Sequence, residues 1–194
     1  EEAADFAETY EADVIICGHG YAGITACREI AEAGKSVILI EKQAEDAYQA
    51  MGNEAALPNL PWLLEQGEET IDPVEFFNNW QLNTSNTSIP GLMMKYPQNS
   101  ADNGAKYFDS CTEEDYATFT TAFFPKEEHI LSSIGPYKFW AGTISCYGDC
   151  NQTKIQGYNR QSAIDEGAQV MFGMEAQYLL QDDSGAVTGV VATD

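Results

Sequence analysis

Three glycines, Gly18, Gly20 and Gly23, stand in the run CGHGYAG directly after the apolar residues Val14-Ile15-Ile16. Eighteen residues beyond the third glycine a carboxylate, Glu41, closes a second apolar run, Val37-Ile-Leu-Ile40. Where such a turn joins a strand to a helix, each residue type has a chemical reason. Gly18 permits the tight turn, Gly20 has no side chain to hold a pyrophosphate away from the backbone, and Gly23 lets the helix pack closely on the strands. The phosphates would then meet main-chain N–H groups, including those of Tyr21 and Ala22, and the positive end of the helix dipole. Glu41 could accept hydrogen bonds from the adenosine ribose hydroxyls, and its charge would repel a 2′-phosphate, which disfavours NADP. The competing reading is a βαβ unit whose glycines serve packing alone.

The surrounding pattern supplies the elements that such a site needs. Residues 13–17 form a short apolar strand, continuous enough to be buried on both faces. Residues 22–33 place Ala22, Ala26, Cys27, Ile30 and Ala31 at helical spacing, and Gly34 stops the helix. Residues 36–40 make a second buried strand, parallel to the first. Residues 157–166 predict another helix ending at Gly167. After it come QVMFGME and two strand-like runs separated by the turn signal Asp182-Asp-Ser-Gly185, a hairpin.

The middle of the chain carries weaker signals. Residues 52–70, with Pro58 and Pro61, read as loop. Asp72-Pro73 followed by Glu75 predicts a capped helix start, with Val74, Phe77 and Trp80 sharing the buried face. Polar clusters at 83–91 and 97–105 read as turns. Thr112-Glu-Glu-Asp caps a helix expected to run to about Phe123 and to close at Pro125. The organisation expected is an acidic tail (1–12), a βαβ dinucleotide-binding unit (13–60), a mainly helical and loop segment (61–150), and a helix, strand and hairpin (151–194) that return to the first unit.

Composition narrows the partners. With 31 acidic against 9 basic residues the chain carries a formal charge of −22, which repels phosphate backbones and anionic lipid. Neither nucleic acid nor a membrane is therefore expected as a partner, and no apolar run is long enough to span a bilayer. Five cysteines do not describe a dense disulfide scaffold. Cys17 and Cys27 read as small buried packers. The close pair Cys146 and Cys150 could be free thiols, a surface disulfide or ligands to a metal or cluster.

The stretch DVIICGHGYAGITACREIAEAGKSVILIEK resembles the N-terminal FAD fingerprint of the fumarate reductase/succinate dehydrogenase flavoprotein family. Met51-Gly52-Asn53-Glu54 lies where that family usually has a Gly-Gly-Asn-Ser/Thr loop along the cofactor. The segment from Gly157 to Asp194 is similar to the family's helix, strand and hairpin, in which the backbone at the position of Ala176 meets the adenine. The resemblance implies an α/β, Rossmann-like FAD-binding fold with a parallel sheet plus a β-hairpin, incomplete relative to the family. It implies FAD as cofactor, with Gly18, Gly20, Tyr21, Ala22, Gly23, Glu41, Lys42, Gly52, Asn53 and Ala176 around it. The implied activity is that of a flavin-dependent oxidoreductase reducing or forming an activated C=C bond in a small-molecule substrate.

The departures are specific. Met51 replaces the first glycine of the Gly-Gly-Asn loop and Glu54 its Ser/Thr, and the family's Ala-Thr-Gly-Gly strand, capping domain and later arginine and histidine residues have no counterpart. The chain has two arginines, Arg28 and Arg160, too few to predict a bidentate clamp for a dicarboxylate. Catalytic groups are expected elsewhere, in the remainder of a longer polypeptide or in a second chain. His19 invites a catalytic role, although a passive position beside the phosphates is the simpler reading, and His129 reads as an exposed helix residue. A non-catalytic nucleotide-binding module and an NAD-linked Rossmann enzyme stay open beside the flavoprotein. The acidic start without Met suggests a processed or trimmed N-terminus and an exported bacterial protein, periplasmic or on the cell surface.

Overall fold

The computed structural model describes residues 6–68, 70–121, 130–131, 137–138 and 143–194. The chain divides into two compact units, residues 1–51 with 156–194, and residues 52–155.

The first unit opens with β1 (Val14–Cys17), α1 (Tyr21–Glu32) and β2 (Val37–Glu41), followed by a 3-10 turn at Glu45–Ala47. The two strands are parallel, with Val14 opposite Val37 and Cys17 opposite Ile40. All five residues of β2 are buried, as expected for the central strand of a covered parallel sheet. The strand β1 lies at the edge of the described sheet, so its residues are half-buried and Cys17 is exposed, which corrects the expectation that both strand and thiol are buried. The helix buries Ile24, Cys27, Arg28 and Ala31, whereas Ala22 and Ala26 are exposed. The apolar stripe is thus rotated from the expected one by the entry of Ile24. Gly34, in the left-handed region at φ 74°, stops the helix as expected and donates its N–H to Ala31 O at 2.8 Å.

In the second unit β3 (Glu54–Ala56), α2 (Pro61–Glu65), α3 (Pro73–Asn83), α4 (Pro90–Tyr107) and α5 (Glu113–Tyr116) precede β4 (Thr120–Thr121), β5 (Ile130–Leu131), β6 (Tyr137–Lys138) and β7 (Thr143–Ser145). The order β3-β7-β4 forms a small antiparallel sheet, and β5 pairs β6. The expected loop at 52–70 therefore holds a strand and a short helix. The Asp72 cap forms as predicted, its carboxylate accepting from the N–H groups of Val74 and Glu75. The buried face of α3 centres on Phe76, while Val74 and Trp80 are exposed. The polar stretch 97–105, expected as a turn, lies inside α4. That helix buries Pro97, Ser100, Gly104 and Tyr107, and a Cβ on Gly104 would come within 3.0 Å of Leu57 and Leu60. Thr112 forms its capping box with Asp115, but α5 ends after one turn at Tyr116. Phe123, Pro125 and His129 lie outside the described residues.

The chain then enters α6 (Gln152–Asp165), β8 (Gln169–Phe172), β9 (Glu175–Gln181) and β10 (Val187–Thr193). The helix begins five residues before the expected start and ends as predicted, with Gly167 at φ 96°. The strand β8 adds to the first sheet in parallel, giving the order β1-β2-β8. The predicted hairpin is present, β9 and β10 being antiparallel around a turn in which the Asp182 carboxylate accepts from Ser184 N and Ala186 N. The core of this first unit joins Ile24, Cys27 and Ala31 of α1 to Val37 and Leu39 of β2 and to Ala163 and Ala168. Each large aliphatic side chain fully withdrawn from water there contributes about 1.5–3 kcal/mol. No helix among the described residues is long and apolar enough to cross a membrane.

Candidate nucleotide site

The glycine turn sits between the end of β1 and the start of α1, and its three glycines have three different causes. Gly18 adopts φ 102°, a conformation that L side chains rarely take. Gly23 is a packing glycine, since a Cβ on it would lie 1.9 Å from Gly18 O and 3.3 Å from Ile16 Cγ2. Gly20 answers to neither constraint. Its φ of −70° suits any residue, and a Cβ there would meet nothing within 4 Å. It is also the N-cap of α1, where no side chain caps the first turn.

The turn is fixed from below. Gly18 N–H donates to Ile40 O at 2.7 Å, and His19 N–H donates to the Glu41 carboxylate at 2.8 Å. The second Glu41 oxygen accepts from Gln43 N–H, also at 2.8 Å. Glu41, expected at the strand tip as an acceptor for the adenosine ribose, is buried and clamps the turn, and each carboxylate oxygen keeps a further lone pair. Beyond β8 the chain is drawn to the same place, because Gly173 N–H donates to Gln43 O and Met174 N–H to Glu41 O, both at 2.9 Å.

These ties create a cleft of about 240 Å³ lined by Cys17, Gly18, Ile40, Glu41, Lys42, Met174, Glu175 and Ala176. Gly18, Glu41, Lys42 and Ala176, separated by up to 158 positions in sequence, are thereby brought together. Gly20, Tyr21, Ala22 and Gly23 continue from Gly18 into the start of α1. Cys17, Ile40, Met174 and Glu175 are additions that sequence reasoning missed. All four were within reach, one or two chain positions from Gly18, Glu41 or Ala176.

Gly52 and Asn53 belong to the second unit. Gly52 adopts φ 79°, and Asn53 O accepts from Cys146 N–H at 2.7 Å in the approach of β3 to β7. Met51, where the resembled loop has glycine, is almost fully exposed.

The His19 side chain is fully buried. Its ring lies 4.7 Å from that of Tyr48 and 5.3 Å from that of Phe172, and the Arg160 guanidinium covers the Phe172 ring at 5.0 Å. Burial, then the charge of Arg160, holds His19 below its ordinary value of 6.5. Gln156 biases the ring in the opposite direction, without aligning to satisfy either ring nitrogen. The Tyr48 hydroxyl donates to His19 O at 2.8 Å and also contacts the Gln156 side chain. Burial pushes Tyr48 up to about 12. The Tyr48 hydroxyl thus anchors the turn at its central residue, whose ring is buried against Tyr48 and Phe172.

A family model described as an FAD binding domain matches residues 13–194. The chain belongs to this FAD-binding family. The NAD-linked reading is thereby set aside, and the residues fit the cofactor: the start of α1 has no side-chain cap, and the space beside Gly20 is open. No curated protein sequence matches the chain. Among solved structures, the FAD-binding domain is similar to 3-ketosteroid-Δ4-(5α)-dehydrogenase from Rhodococcus jostii RHA1, with 20% identity and a TM-score of 0.71 over 98% of this chain and 44% of that one. It is also similar to a flavocytochrome c3 fumarate reductase, with 18% identity and a TM-score of 0.68 over 98% of this chain and 31% of that one. A third likeness is to Sdh1 of Mycobacterium smegmatis in complex with UQ1, with 16% identity and a TM-score of 0.67 over 94% of this chain and 30% of that one. At these identities the likeness is one of fold. The chain spans less than half the length of each.

Proposed function

We propose that the main-chain amides of the Gly18–Gly23 turn and the start of α1 grip the FAD pyrophosphate. Glu41 takes the adenosine ribose, with Lys42 beside it, and the backbone at Ala176 borders the adenine. The domain serves a flavin-dependent oxidoreductase that reduces or forms an activated C=C bond, as the fumarate reductase and ketosteroid dehydrogenase likenesses suggest. The observation that supports this reading most is Gly20, whose missing side chain is required neither by its backbone angles nor by any neighbour among the described residues. When bound, the flavin supplies hydride transfer at its N5. The chain's own residues hold and orient it: an uncapped helix start faces its charge, and the Glu41 clamp fixes the turn.

Groups that grip and protonate the substrate are proposed to lie outside the described residues. Arg28 is engaged with Glu32 and Asn159, and Arg160 covers Phe172 with Glu45 at 3.4 Å, so neither arginine offers a free bidentate fork.

The test is direct. Purified protein should carry oxidised-flavin absorbance and release FAD on denaturation. Gly20→Val should keep the far-UV circular dichroism of the parent and lose flavin, and unchanged FAD affinity would sink the phosphate assignment. Where the substrate-gripping groups are also present, in the full polypeptide or with a partner chain, the dithionite-reduced flavin should be reoxidised by at least one unsaturated acid or enone. Bound FAD that none of them reoxidises there would make the chain a non-catalytic module.

A further inference from the structure

The second unit holds a cluster that the nucleotide site does not use. Cys111 follows α4, Asp115 lies in the single turn of α5, and Cys150 stands just ahead of α6. Their Sγ and carboxylate oxygen atoms all lie within 4.8 Å of one another. Cys150 is fully buried, Asp115 is 4% exposed and Cys111 is half-buried. Cys146 is buried nearby but stands outside the group. Thiols and a carboxylate drawn together from three separate elements are the donor types a soft divalent cation selects.

From these residues we infer a zinc-type site in which Cys111, Cys150 and Asp115 are the protein ligands. Tetrahedral zinc with Zn–S of about 2.3 Å sets its sulfurs about 3.8 Å apart, so the cluster needs to contract by only about 1 Å to close on the ion. Charge supports the assignment. Two thiolates and a carboxylate carry three negative charges, a divalent ion returns two, and Lys154 supplies the third with its Nζ 2.7 Å from Asp115 Oδ1. The assembled site is neutral, which a buried position requires. The remaining Asp115 oxygen accepts from Thr112 N–H at 2.9 Å, which orients the carboxylate as outer partners orient metal ligands. The half-exposed side at Cys111 leaves the fourth position to water. Binding balances as the uptake of one Zn²⁺ and the release of two thiol protons to solvent.

The experiment uses the whole chain, reduced, stripped with a chelator, equilibrated with Zn²⁺ alone and desalted, with metal measured by mass spectrometry. Stoichiometric zinc in the parent and in Cys146→Ser, with loss of at least tenfold in affinity in Cys111→Ser and Cys150→Ser, is the expected result. Zinc should also slow the reaction of the native thiols with a disulfide reagent, a readout on the parent that decides the matter where a serine variant does not fold. No zinc uptake by the reduced parent overturns the inference. So does equal uptake by the Cys111 and Cys150 variants, loss of uptake in Cys146→Ser, or an intact mass showing Cys111 and Cys150 joined as a disulfide in protein that takes up no metal.

Discussion

The main-chain N–H of His19 donates to the Glu41 carboxylate at 2.8 Å, so the centre of the glycine turn hangs from the last residue of the neighbouring strand. Because Gln43 N–H occupies the other oxygen, Glu41→Gln must turn an amide NH₂ toward one of two main-chain donors. We expect a loss of about 1–3 kcal/mol in the absence of flavin, together with weaker FAD binding. Urea unfolding of flavin-free protein measures the first part, and an unchanged midpoint would show that the clamp carries no energy.

The glycines separate by experiment. Gly23→Ala forces a Cβ into Gly18 O, a backbone atom that cannot swing aside, and should destabilise the protein by about 1–3 kcal/mol or more. Gly20→Ala should leave stability within about 0.5 kcal/mol and weaken FAD binding. Equal thermal shifts in the two variants would contradict the division of roles.

His19 predicts a pH dependence. Its folded pKa lies below 6.5, so as pH falls beneath that value the unfolded chain takes up a proton that the folded chain refuses. The unfolded state then binds more protons, and stability that is complete above about pH 6.5 declines as the medium acidifies toward the folded pKa. His19→Leu should flatten this part of the profile between about pH 7.5 and 5.5 relative to the parent. Parallel profiles would show that the ring is not held neutral.

Arg28 ties α1 to α6, its Nη1 donating to Asn159 Oδ1 at 3.0 Å within the buried interior. Arg28→Ala should cost about 1–3 kcal/mol, because Asn159 is left buried with one partner fewer. A double-mutant cycle with Asn159→Ala should show a coupling of about 1 kcal/mol or more. Additive single effects would remove the link.

The Asp72 cap offers a smaller check in the second unit. Asp72→Ala frees the N–H groups of Val74 and Glu75 and should lower stability by about 1 kcal/mol.

The parts legible in the sequence are those whose cause is local. The β1–α1–β2 unit, the hairpin turn at Asp182 and the caps at Asp72 and Thr112 follow from spacing and turn chemistry within a few residues. Helix α4 escaped because its buried stripe is Pro97, Ser100, Gly104 and Tyr107, helical in spacing but almost without apolar signal. Strand β3 is three residues long and exists through pairing with Thr143–Ser145, nearly ninety positions away. The glycine turn could be read as a phosphate cradle, but not the aromatic socket beneath it. Tyr48 and Phe172 reach His19 from distant positions, and no local pattern announces such contacts.

The clamp between His19 and Glu41 works as a caliper on chain length. Between its jaws run the whole of α1 and β2, so one residue inserted within α1 would swing the later part of the helix through about 100° and carry Cys27 and Ala31 off the sheet. The grip therefore bars any change in the length of that helix.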